Sequence, residues 1–171
     1  MQTFIKSKQE QKIKFHGCKK KTKKSFFLCF FFTFHRYSYC MIQYIYYNYE
    51  KSNVCTVHDS QTEYTKASSL NSYLNKLCLE NGASLKGRKE SYRHLMECRK
   101  FSSVFIHKDL CLIPFPDGKW INHYAISEVR YDKEFCYIFF KDGTILKTKH
   151  IHRMKTSLTS TYLYLKMVHA K

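Results

Sequence analysis

The tightest local constraint on this chain of 171 residues is the tripeptide Lys141-Asp142-Gly143, set between two runs of aromatic and β-branched residues. Asp-Gly suits the positive φ of a tight antiparallel turn, so residues 135–140 and 144–149 are predicted to pair as a hairpin. Within the first run, Phe135-Cys136-Tyr137-Ile138-Phe139-Phe140, alternation turns one face toward a core. A lone hairpin is only marginally stable and needs partners. Residues 42–47 and 54–57, rich in β-branched and aromatic side chains, read as strands. So do 104–106 and 110–113, flanking a Lys108-Asp109 turn, and 120–126, while Pro114 and Pro116 are expected to break the pairing between them. Residues 68–80 read as a helix: Ser68 or Ser69 can cap it, Leu70, Tyr73, Leu74 and Leu77 recur at helical spacing, and Asn81-Gly82 stops it. Residues 83–100 read as a densely basic loop or short helix, and 157–169 as a helix. Strands and helices that do not alternate define an α+β class: a single small domain with a mainly antiparallel sheet and two or three helices.

Charge limits the partners. Lys and Arg number 30 against 13 Asp and Glu, a net charge of +17, which favours encounter with polyanions: nucleic acid or an anionic membrane surface. Residues 1–40 carry +9 of this charge and residues 41–171 the other +8, so the body of the chain is basic in its own right. Aromatics make up 17% of the chain, enough for a packed core, and 5 Gly with 2 Pro exclude a low-complexity chain.

Residues 1–40 read as a separate extension. Lys19, Lys20, Lys21, Lys23 and Lys24 precede the apolar run 26–32, the charge order of a signal peptide, yet the following Thr33-Phe34-His35-Arg36-Tyr37 is a poor cleavage region. The run is far short of the roughly 20 residues that span a bilayer. Lysines beside bulky aromatics suit a membrane interface, so a peripheral anchor through residues 19–34 is the competing expectation. Lys and Phe runs are also what A- and T-rich sequence encodes, and a second Met stands at 41. Residues 41–171 are therefore expected to be the working domain.

Eight cysteines stand at 18, 29, 40, 55, 78, 98, 111 and 136, with no C-x-x-C pair, so they read as reduced, mostly buried thiols of a cytoplasmic protein and not as a zinc site. His150 and His152 with His123 or Cys136 would be conceivable metal ligands if 150–152 were a strand, but exposed residues beside Lys147, Lys149 and Arg153 are the simpler account. No phosphate-loop, nucleophile-elbow or H-E-x-x-H pattern occurs, and Asp109, Asp117, Asp132 and Asp142 fall at predicted turns. No enzyme, cofactor, metal or small-molecule substrate is expected.

The most informative stretch is Cys78–Arg93, which sets Lys86, Arg88, Lys89 and Arg93 around Gly82 and Gly87 just past a helix end. Glycines allow close approach of a backbone to phosphate, and Lys and Arg neutralise it. This stretch resembles the competence transcription factor (ComK) family: a Cys, a short gap, a Gly, then Gly-Arg-Lys, matched by Cys78, Gly82, Gly87, Arg88 and Lys89. Phe115-Pro116, Trp120-Ile121 and the Phe140-x-x-Gly143 turn are similar to later family features, in order, across residues 73–149. The resemblance implies an activator of DNA-uptake genes that binds A/T-rich promoter boxes as a homo-oligomer through the minor groove. On it, Lys86, Arg88 and Lys89 would contact double-stranded DNA; Arg93, Arg99 and Lys100 join them on charge alone. Residues 150–161 match the family's Ser-Tyr-rich segment poorly, and residues 1–40 have no counterpart in it. A base-stacking role for the 135–140 strand, in an RNA-binding protein, ranks below DNA because its alternation buries one face and no RNA-recognition signature is present.

Overall fold

Two three-stranded meanders meet edge to edge and make the main sheet of this computed structural model, which describes residues 41–59, 61–97 and 101–170. The first meander is β1 (Ile42–Asn48), β2 (Asn53–His58) and β3 (Gln61–Lys66); the second is β4 (Val104–His107), β5 (Leu110–Pro114) and β6 (Trp120–Asn122). They join through antiparallel β1–β6 pairing, Tyr44 opposite Ile121 and Ile45 opposite Trp120, giving the order β3-β2-β1-β6-β5-β4. Helices α1 (Leu70–Glu80) and α2 (Leu85–Met96) connect the meanders. A 3-10 turn (His123–Ala125) then leads into a second sheet, β7 (Ile126–Tyr131), β8 (Cys136–Phe140) and β9 (Ile145–Thr148), and the chain continues as α3 (Ile151–His169). The expected α+β class with a mainly antiparallel sheet is what these residues form.

Each face of the main sheet carries its own core. Ile45, Val54, Val104, Ile106, Leu110, Leu112 and Trp120 pack beneath Leu74, Cys78 and Leu85 of the helix pair. On the opposite face Ile113 and Ile121 meet Cys136, Ile138 and Phe140 of the small sheet and Met154 of α3. Tyr92 of α2 and Tyr164 of α3 meet edge to face, with ring centroids 4.9 Å apart, beside the fully buried Cys111. Asn122 ties the edges of these layers. Its Nδ2 donates to the carbonyls of Ile42 (2.8 Å) and Asp109 (3.1 Å), and its Oδ1 accepts from the amides of Cys111 (3.2 Å) and Tyr124 (3.3 Å). A buried amide with its valences filled in this way stabilises; losing it would orphan several main-chain groups at once.

Several expectations need correction. Of the loop or short helix expected after Gly82, the helix forms: Leu85–Met96 is the 12-residue α2, Ser84 Oγ caps it by accepting from Gly87 N at 3.1 Å, and Leu85 and Tyr92 turn inward at helical spacing. Gly87 therefore lies in the first turn of a helix and not in a phosphate-cradling loop, whereas Gly82, at φ +88°, closes α1. That closure is a Schellman pair, Ala83 N to Cys78 O at 3.2 Å and Gly82 N to Leu79 O at 3.0 Å. Pro114 does not break the pairing but sits opposite Trp120 at the end of the β5–β6 ladder. The run 120–126 is β6 followed by the 3-10 turn. α3 begins at Ile151, well before 157; His150 at its cap makes no side-chain hydrogen bond, so the sequence carries no capping signal there. His150 and His152 are thus a helix cap and a helical residue, not alternate residues of a strand. Among the described residues no three metal-ligating side chains cluster, and no helix is long and apolar enough to cross a membrane. The apolar run 26–32 lies outside the described residues.

Candidate nucleic-acid interface

The α1–turn–α2 segment converts a run of basic residues into a shaped surface. With Leu85 and Tyr92 fixed inward, Lys86, Lys89 and Arg93 fall at i, i+3 and i+7 and share one face of α2. Across from them α1 presents Asn71, Ser72 and Asn75. These six side chains with Leu85 line an open groove of about 490 Å³ with no acidic residue in its wall. Asn75 also anchors the groove floor, its Oδ1 accepting from Leu85 N at 3.0 Å.

The three cations differ in freedom. Lys86 is open to solvent, its side chain 86% exposed, and pairs with Glu90 at 3.9 Å. Such an exposed i,i+4 pair contributes a few tenths of a kcal/mol and yields readily to a phosphate. Lys89 lies deeper. Its Nζ sits 5.1 Å from the centroid of the Trp120 ring, a cation–π contact. Burial, then the neighbouring Arg93 charge, push its pKa below the ordinary lysine value. Arg93 donates from Nε to Ser102 Oγ at 3.0 Å, which orients the guanidinium while leaving the residue exposed.

Arg88 is placed differently. It is half-buried, and its guanidinium donates through Nη1 to Phe105 O and through Nη2 to Asn81 O. It braces the α1–α2 turn against β4 and is not among the groove-lining residues. Of the six residues expected to meet DNA, then, Lys86, Lys89 and Arg93 converge on the groove and Arg88 holds its frame; Arg99 and Lys100 lie outside the described residues. Asn71, Ser72 and Asn75 escaped sequence reading. Their one signal is a polar i, i+1, i+4 pattern on a capped helix.

Elsewhere several of the domain's cations rest on aromatic rings. Arg153 lies 4.0 Å from the Phe101 ring, Lys155 4.7 Å from Tyr131 and Lys166 4.6 Å from Tyr162, whereas Arg130, 4.9 Å from Phe139, is also held by a two-point pair with Glu128 at 2.7 and 2.8 Å. An aromatic face holds a cation without cancelling its charge, so the field remains available to an external polyanion. The outward face of β8, Tyr137 and Phe139, is half-buried, while Cys136, Ile138 and Phe140 point into the core, as alternation predicts. Cys55, Cys78, Cys111 and Cys136 are buried free thiols, and burial pushes Cys111 up to about 12.

No protein-family model, no curated protein sequence and no solved structure matches this chain.

Proposed function

We propose that the chain is a double-stranded DNA-binding protein that receives phosphate in the α1–α2 groove, and that it is an activator of the competence transcription factor type acting at A/T-rich promoter boxes. The observation that carries the reading is the convergence of Lys86, Lys89 and Arg93 on an acid-free, hydroxyl- and amide-lined groove. Cations neutralise phosphate, while Asn and Ser side chains hydrogen-bond its oxygens and fix register. The resemblance over residues 73–149 supplies the A/T preference and the transcriptional role. Arg88 enters this reading as the residue that positions the turn, in place of a direct DNA contact. Homo-oligomers on paired boxes belong to the same proposal.

Lys89 gives a pH signature. Its lowered pKa means that it gives up its proton before an ordinary lysine does, and only the charged form attracts phosphate. Duplex affinity is therefore expected to fall as pH rises through the alkaline range, more steeply than for the Lys89→Arg variant, whose guanidinium keeps its charge. Anisotropy titrations along a pH series read this directly, and parallel curves for the two proteins would remove Lys89 from the contact.

The function is tested by equilibrium titration of the full chain with matched A/T-rich and G/C-rich duplexes. Tighter binding to the A/T-rich duplex is expected. Equal binding would leave a non-selective phosphate binder, and no binding to either would overturn the reading.

A further inference from the structure

The half of the main sheet formed by β1, β2 and β3 has a second face, turned away from α1 and α2. Strand register shows which residues occupy it. Ile45, Thr56 and Glu63 form one cross-strand row, and Tyr47, Val54 and Thr65 another. Both point toward the helices: Thr56 Oγ1 lies 3.3 Å from the Tyr73 hydroxyl of α1, and Tyr47 Oη donates to Ala67 O at 3.2 Å. The alternate rows must face the other way. They are Tyr44–Val57–Thr62, Tyr46–Cys55–Tyr64 and Asn48–Asn53–Lys66. Among the described residues the small sheet meets this face at Tyr44, whose ring lies 5.8 Å from that of Phe140, and Val57 and Cys55 of the middle strand are buried beneath their neighbours.

What remains is a tyrosine surface edged with lysine. Tyr64 is 60% exposed on edge strand β3, and Tyr46 is half-buried on the far side of Cys55. Lys51 stands 5.6 Å from the Tyr64 ring centroid and Lys119 stands 5.8 Å from that of Tyr44; Lys66 occupies the next row. The strands' own acid, Glu63, points to the helix side, 3.7 Å from His58 Nε2; at the margins of the tyrosine face stand Asp142, beside Tyr44, and Asp117, which shares a pocket with Tyr46 and Lys119. An exposed Tyr64 ring beside the half-buried Tyr46, with lysines around them, matches the chemistry of an unpaired nucleic-acid strand: bases stack on the rings and the lysines reach the phosphates. A duplex, whose bases are already stacked and paired, has no use for the rings.

We infer that the open β1–β2–β3 face binds single-stranded DNA by stacking bases on Tyr64 and Tyr46, with Lys51, Lys66 and Lys119 on the phosphates. The choice of DNA over RNA rests on the duplex-binding reading above; the stacking surface itself does not. The two surfaces lie on opposite faces of the main sheet. The chain can therefore hold a paired and an unpaired stretch of an A/T-rich site, where strands separate most easily.

The experiment is a fluorescence-anisotropy titration of the full chain with labelled oligothymidylate, oligouridylate and A/T-rich duplex, at one salt concentration near 0.15 M. Tyr64→Ala is expected to weaken oligothymidylate binding about tenfold, the loss of one base–aromatic stack, and to change duplex binding less than twofold. Tyr64→Phe, which keeps the ring, should restore the parent affinity. Because Tyr64 is exposed on an edge strand, neither change threatens the core. Removing Lys86 and Lys89 should do the reverse, weakening the duplex and sparing the oligothymidylate. Loss of the duplex arm alone would sink the groove reading and leave this face standing. An oligothymidylate affinity untouched by Tyr64→Ala, or tighter binding of oligouridylate than of oligothymidylate, would overturn the inference.

Discussion

Replacing Lys86, Lys89 and Arg93 together by alanine is expected to weaken binding of the full chain to an A/T-rich duplex on the order of 100-fold at about 0.15 M salt. Each phosphate neutralised releases about 0.9 of a condensed counterion, and three such contacts account for roughly two decades of affinity at that salt. The measurement needs a control for bulk charge, because the chain carries +17 and removing any three cations weakens its field. Lys108, Lys133 and Lys141 are all exposed and lie outside the groove, so their triple alanine variant removes equal charge elsewhere. That control is expected to lose less than fivefold. Equal losses for the two triple variants would reduce the groove to a share of a diffuse basic surface.

The second large effect concerns stability. Arg88→Ala removes two charge-assisted bonds to main-chain carbonyls, at Asn81 and Phe105, and leaves both acceptors without their partner. Bonds of this kind contribute about 1.5–3 kcal/mol each, so a loss of roughly 3 kcal/mol is expected, equivalent to about 10 °C or more in Tm for a domain of this size. Arg88→Lys should recover little, since one ammonium on a flexible stem cannot replace a planar fork serving two fixed oxygens. Thermal unfolding by circular dichroism gives the loss. Duplex affinity, measured well below the lowered Tm, should stay within a few-fold of the parent. An unchanged Tm with lost affinity would instead place the guanidinium on DNA.

This contrast between Arg88 and its neighbours marks how far the sequence could be read. The 135–149 hairpin was legible because Asp142 and Gly143 act locally: Asp142 Oδ1 accepts from Thr144 N at 2.8 Å, and Gly143 takes φ +90°. α1 was legible for the same kind of reason, from its Ser69 cap to its Gly82 stop. β3 was not. Its Gln-Thr-Glu-Tyr-Thr-Lys run has no apolar alternation, and only pairing with β2 makes it a strand. α2 was legible only as one of two alternatives, a loop or a short helix, because Gly87 and the charges around it dilute an inward stripe that needs Tyr92, Leu95 and Met96 to complete it. Once that stretch is a helix, 100° per residue sends Lys86, Lys89 and Arg93 one way and Arg88 another. Basicity alone could name the four residues but could not separate them. The α1 side of the groove, Asn71, Ser72 and Asn75, depends on how two helices pack, which no local pattern states.

The measurement closest to the central claim is the salt dependence of duplex binding by the full chain. A plot of log affinity against log salt on the A/T-rich duplex should be linear, with a slope at least as steep as about −2.7, the share of three phosphates at the groove. In the Lys86, Lys89 and Arg93 triple variant that slope should flatten by the same amount. A parent slope near zero, or one that the triple variant leaves unchanged, would contradict the account.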